Sequence, residues 1–188
     1  MTSPSATAAA HPASAPAIDP KALRAACGAF ATGVTVITTR LGVRDHGMTA
    51  NAFMSISLDP PLIAVSIART ARLLDLIRQA GRFAVSVLPE GTENLAWHFA
   101  GRPDETIADP LHDLDGLPVV RGACAVFTTH VAEAVEAGDH VIFLGRVSAL
   151  ERDEARAPLL FHKGRFAELE PGAAAGLDLA CLMDGNHW

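Results

Sequence analysis

Strand-like runs dominate the pattern of apolar and polar positions, and only three short stretches carry helical spacing. Asp19 followed by Pro20 is an N-cap with proline at the first helical position, and Leu23, Ala26, Cys27 and Phe30 share one face of a helix expected to end near Ala31. Residues 34–40 are β-branched and alternating, 41–45 carry turn signals, and 46–57 read as the return strand of a hairpin stopped by Asp59-Pro60-Pro61. Residues 62–67 form a nearly all-apolar run of strand length, expected to be buried on both faces. Thr70 then reads as the cap of a helix with Leu73, Leu74, Ile77 and Ala80 inward and Gly81 as its stop.

A strand over 83–88, closed by Pro89, precedes a helix over 92–100 that presents Leu95 and Phe99 together. Residues 101–122 are dense in Gly, Pro and Asp and read as a long connection, a class often used as a lid or binding segment. Long strands over 124–136 and 140–150 join at Ala137-Gly138-Asp139, and a last pair, 159–162 and 165–169, turns at Lys163-Gly164. Many strands, few short helices and hairpin connections predict a mainly β fold: one antiparallel barrel with peripheral helices, without repeats.

Within that pattern the stretch 46–61 is unusual. It places small residues, hydroxyls and the Asn51 amide where a strand built only for a core would carry branched apolar side chains. A binding edge is the first reading.

Composition sharpens this picture mainly by exclusion. Hydrophobic residues make up 49% of the 188-residue chain, and the mean hydropathy of +0.24 leaves apolar surface to hide, so a homodimer or higher oligomer is expected. Lys+Arg 15 against Asp+Glu 21, a formal charge of -6 and no basic run argue against a nucleic-acid surface. Cys27, Cys124 and Cys181 are odd in number and far apart, which suggests thiols in a reducing cytoplasm rather than disulfides or zinc, and the 8 histidines lack ligand spacing, so no metal is expected. Residues 1–17 lack the features of a secretory signal and are expected to be disordered; no run is long enough for a membrane helix; and 171–188 form an appendage without a legible role. Dinucleotide-binding Gly-x-Gly-x-x-Gly, P-loop and Gly-x-Ser-x-Gly patterns are all absent.

Four segments remain as candidates for one ligand. Residues 48–57 offer hydroxyls, an amide and strand-edge N–H groups for a ring rich in acceptors. Ser66-Ile67-Ala68-Arg69-Thr70 sets a guanidinium beside a helix start, a combination suited to phosphate. Gly138-Asp139-His140 brings an imidazole to the entry of a long strand, and residues 161–166 are aromatic and basic around a turn. Each has a plain alternative: a hairpin turn, a helix-start surface charge, or core aromatics.

Their order along the chain adds more than any one of them. Phe30-Ala31-Thr32-Gly33-Val34-Thr35-Val36, Gly47-Met48-Thr49-Ala50-Asn51-Ala52-Phe53, Ser55-Ile56-Ser57-Leu58-Asp59-Pro60-Pro61, Gly81-Arg82-Phe83-Ala84-Val85-Ser86-Val87-Leu88, Phe99-Ala100-Gly101-Arg102, Ala137-Gly138-Asp139-His140 and Phe161-His162-Lys163-Gly164-Arg165-Phe166 together resemble the short-chain flavin reductases, across residues 19–169. The resemblance implies an FMN-binding split barrel of antiparallel Greek-key type over 18–170, a homodimer, and reduction of FMN or FAD by NADH or NADPH, often for a separate monooxygenase. It places flavin along Met48, Thr49, Ala50 and Asn51 with Ser55 and Ser57 nearby, its phosphate at Ser66, Ile67, Ala68 and Arg69, and Phe99, Phe161 and Arg165 in the pocket wall. His140 would position the nicotinamide, and hydride passage from nicotinamide to flavin would need no nucleophile or general base.

Two departures stand out. Ala68 and Ala71 replace polar residues frequent in the family, and Phe161 and Phe166 stand where tyrosines are frequent, so stacking survives without a phenolic hydrogen bond. Two other readings stay open at this level: a split-barrel flavoprotein holding its flavin for storage or for another substrate, and a cofactor-free interaction barrel.

Overall fold

The computed structural model describes residues 18–170; the expected N-terminal tail and the 171–188 appendage lie outside the described residues. In chain order the elements are α1 (Pro20–Cys27), β1 (Thr32–Gly33), β2 (Thr35–Leu41), β3 (Arg44–Ala50), β4 (Phe53–Leu58), β5 (Pro61–Ala68), α2 (Arg72–Ala80), β6 (Arg82–Val87), α3 (Glu93–Phe99), β7 (Leu111–Leu114), β8 (Leu117–Val120), β9 (Ala125–Ala137), β10 (His140–Arg152), β11 (Leu160–His162) and β12 (Arg165–Ala167).

One antiparallel sheet of seven strands runs in the order β3-β2-β6-β9-β10-β5-β4. Its two outermost strands are consecutive in the chain, joined only by Asn51 and Ala52. Three Cα steps reach about 11 Å at most, whereas the edges of a flat seven-stranded sheet would stand roughly 29 Å apart. The sheet must therefore curl until its edges meet, and Asn51-Ala52 is the corner where it closes. The single return strand expected over 46–57 is thus two strands, and the small polar residues there mark the break between them.

The barrel interior is filled by Ile37, Ile63, Val65, Ile67, Phe83, Val85, Val141 and Phe143, with Leu73, Leu74 and Ile77 of α2 packed into the same cluster. Helical spacing puts those three on one face, so α2 stoppers the barrel and fixes the residues on either side of it. Its N-cap is Ala71, without a side-chain bond, rather than Thr70, and Gly81 ends it in the left-handed region at φ 67 as expected. At Gly145 an added Cβ would come within 2.6 Å of Phe83 Cζ and 2.8 Å of Thr129 Cβ, so the ring is seated against bare backbone.

Residues 101–122 are not an unstructured connection. They contain the β7–β8 hairpin, which turns at Asp115 and Gly116, both with positive φ (51 and 76), as a tight two-residue hairpin requires. Leu117 and Val119 pack with Ala84 and Val126 on the outside of the barrel wall. The Asp115 carboxylate accepts from Ser148, Thr128 and Arg82, which hold it below the usual carboxylate range. A second outer cluster, Val34, Val36, Leu88, Ala96 and Leu159, seats α3 and the β1–β11–β12 sheet. α1 ends at Cys27, capped by Gly28, earlier than its apolar pattern suggests, and buries none of its residues.

Candidate functional site

Three of the candidate segments meet at one rim of the barrel because strand pairing brings them there. Ser66 donates its N–H to the Ala52 carbonyl at 3.1 Å, which ties the corner to β5. Ala68 stands opposite His140 in the β5–β10 register, and the Arg69 N–H bonds the Asp139 carbonyl at 2.9 Å. Asn51, Ser66, Ala68, Arg69 and His140 therefore occupy neighbouring positions although they come from three separate parts of the sequence. Side-chain alternation puts Ser66, Ala68 and His140 on one face, while Ile67 points into the core and is fully buried. Only the backbone of Ile67 is left for a ligand.

At this rim His140 Nδ1 lies 2.8 Å from Asp139 Oδ1, and the imidazole side chain is 43% exposed. That contact, with the imidazole's charge, holds the Asp139 carboxyl below its ordinary range and leaves Nε2 as the ring atom turned away from it. Arg69 pairs with Glu136 at 2.6 Å, and Arg78, from the last turn of α2, pairs with the other oxygen of the same carboxylate at 2.6 Å. Two guanidiniums, Arg69 just before α2 and Arg78 in its last turn, thus share one counter-charge. Exposed pairs of this kind contribute about 0–1 kcal/mol each, weak enough for a phosphate to compete for the arginines. Arg78 and Glu136 were not legible as site residues; helical spacing shows which face Arg78 takes, but its meeting with a residue 58 positions away needs the tertiary fold.

The remaining candidates are placed less uniformly. Thr49 spends its hydroxyl on the Ala96 carbonyl at 2.7 Å, and Met48 and Ala50 pack against the main core. Phe99 packs against the second cluster and over Gly47, where a Cβ would come within 2.7 Å of the ring. Ser55 and Ser57 flank a bulge, and Ser57 lies opposite Leu62. Four residue steps along β5 separate Leu62 from Ser66, roughly 13 Å, so Ser57 is not brought to the Arg69 end. Phe161 pairs with Thr32 and shares a cavity of about 790 Å³ with Asn51, while Arg165 lines a different depression with His162 and Phe166.

Whether the cavity suits a flavin or a nucleotide is tested by its polar atoms. Thr32 Oγ1 is buried and has no hydrogen-bond partner, a donor left idle in the cavity wall. With the Asn51 amide and the Phe161 ring alongside, the donor set fits a heteroaromatic ring with carbonyl and ring-nitrogen acceptors. Among the described residues no cluster of His, Cys, Asp and Glu is arranged to hold a metal, and no helix is long and apolar enough to cross a membrane.

Residues 27–170 match the family model of the flavin reductase like domain. The reductase component of 4-hydroxyphenylacetate 3-monooxygenase from Thermus thermophilus is 42% identical over 149 residues, covering 79% of this chain and 96% of that protein. An NADH-dependent flavin reductase from Rhodococcus is 40% identical, covering 82% of this chain and 89% of that protein. Among solved structures, flavin reductase PheA2 in its native state superposes with a TM-score of 0.79 at 43% identity, covering 82% of this chain and 100% of that one.

Proposed function

The chain belongs to the family of flavin reductase-like domains, and from that membership we infer that it is an NADH-dependent flavin reductase whose reduced flavin serves a separate monooxygenase. The observation that carries the reading at residue level is the meeting of Asn51, Ser66 to Arg69 and His140 at one rim. When bound, FMN or FAD supplies the hydride-accepting ring. What the chain supplies is placement: Asn51 and Thr32 hydrogen-bond the ring, Phe161 covers it, and His140 Nε2 orients the nicotinamide. Arg69 and the free N–H groups at the start of α2 hold the flavin phosphate. Mixing the protein with NADH and FMN, FAD or riboflavin and following nucleotide oxidation tests the assignment. No oxidation with any flavin overturns it.

Arg69→Ala should weaken FMN binding about tenfold, the loss of one exposed charge-assisted bond, and leave riboflavin, which has no phosphate, nearly unchanged. Fluorescence titration of both flavins reads the difference; equal loss for the two would remove the phosphate from Arg69.

The site is read as completed by a second copy of the chain. Met54, on β4, is 56% exposed, and Val135, at the far end of β9, is 40% exposed. By pairing they share the outer face with the half-buried Ile142 and Leu144, and with Ser66, Ala68 and His140 of the site. An apolar face of this kind favours a symmetric dimer. Light scattering should give the mass of two chains at micromolar concentration, and a single-chain mass contradicts the assembly.

A further inference from the structure

The helix α1 is amphipathic by sequence yet buries none of its residues. Lys21, Arg24, Ala25 and Gly28, spaced as one helical stripe, line the 790 Å³ cavity, while Leu23 is 53% exposed and lies outside that lining. The same cavity receives Lys163 from the β11–β12 turn, where Lys163 and Gly164 both have positive φ (49 and 79). That turn is locked to α1 by the Lys163 N–H bonding the Gly28 carbonyl at 3.0 Å. Helix and turn thus hold a fixed arrangement with three cationic side chains around one space.

No Asp or Glu lines the cavity, and none of the three cations forms an ion pair with a described residue. In a chain of net charge -6 such an unbalanced cluster is selective for an anion. The lining also includes Asn51, Thr32 and Phe161, so the anion must belong to a molecule whose other end reaches the ring site. Arg69 and Arg78 do not line this space. The rim therefore has two separate cationic groups, and the reaction has two phosphorylated reactants.

Resting on the reductase reading above, we propose that the cavity beneath α1 seats the diphosphate of the nicotinamide nucleotide, held by Lys21, Arg24 and Lys163, while the Arg69 group serves the flavin. α1 is then a nucleotide clamp: its Lys21–Arg24 stripe faces the substrate, with Cys27 and Phe30 lining the same cavity.

The test compares NADH with 1-benzyl-1,4-dihydronicotinamide, a hydride donor without phosphates. In the double variant Lys21→Ala/Arg24→Ala, KM for NADH should rise about tenfold and KM for the phosphate-free donor by less than about twofold. An unchanged KM for NADH overturns the proposal. So does a parallel rise for both donors, which would mean that α1 only supports the fold. Weakened FMN or FAD binding with KM for NADH intact also overturns it and gives the cavity to a flavin phosphate. Cys27 provides a readout independent of turnover, because it is exposed and lines the same cavity. In the flavin-free wild-type protein, NAD+ should slow alkylation of Cys27 by iodoacetamide, followed by peptide mass spectrometry, and nicotinamide alone should not. Equal alkylation with and without NAD+ counts against the site. If the wild-type protein oxidises neither donor, the reductase reading fails, and the Cys27 protection still decides whether the cavity takes a dinucleotide.

Discussion

Replacing Phe83 with alanine is expected to lower the unfolding free energy by about 3–5 kcal/mol, the range for deleting a large ring from a packed interior. Phe83 is fully buried, lies 6.4 Å from the Phe143 ring, and rests its Cζ where Gly145 leaves room. The cavity left by alanine is lined by β-sheet backbone on the Gly145 side, which cannot collapse to fill it. Urea denaturation followed by tryptophan fluorescence reads the loss; a change under about 1 kcal/mol would mean that the barrel interior is not packed as described. Gly145→Ala should cost about 1–3 kcal/mol from the opposite cause, overpacking. Adding Phe83→Leu to Gly145→Ala should recover part of that cost, because the closest of the three clashing atoms, Phe83 Cζ, is removed while those of Thr129 remain.

Removing the imidazole at position 140 should cost about 10- to 100-fold in kcat/KM for NADH, the scale of a misplaced reacting group. Flavin affinity should change by less than about twofold in the same variant. The reason is local: His140 stands at the open rim, fixed through Nδ1 by Asp139, whereas Arg69, proposed above as the flavin phosphate anchor, is paired separately with Glu136. The Asp139 carboxyl is held below its ordinary range, so the pair with His140 is intact above the usual aspartate range and is lost as the pH falls through the lowered value. Steady-state kinetics alongside flavin titration separates the two effects. Equal losses in both would take the nicotinamide away from His140.

Much of this architecture is legible from the sequence because its signals are local. The Gly81 stop of α2, the Lys163-Gly164 turn and the strand over 62–67 each follow from two or three neighbouring residues. Two features escape for different reasons. The β7–β8 hairpin carries its own signal, Asp115-Gly116 between apolar residues, but it sits in a segment whose Gly, Pro and Asp content reads as loop. The break at Asn51-Ala52 is tertiary in origin: strand propensity runs through it, and only barrel closure requires the chain to leave one sheet edge and begin the other. The site divides in the same way. Arg69 and His140 stand out by residue type and neighbours, whereas Glu136, Arg78 and the basic stripe of α1 gain their meaning from what they face. Amphipathicity at α1 reads as packing until the fold shows that the helix buries none of its residues and sets Lys21 and Arg24 along an open cavity.

The central claim is that this rim brings a nicotinamide and a flavin together for hydride transfer. Anaerobic rapid mixing of the wild-type protein and FMN or FAD with NADH tests it most directly, through the visible absorbance of the oxidised flavin. Bleaching of that absorbance, matched by loss of NADH one for one and far faster than in the protein-free mixture, is the expected result. Flavin that stays oxidised on mixing, with either cofactor, would contradict the account.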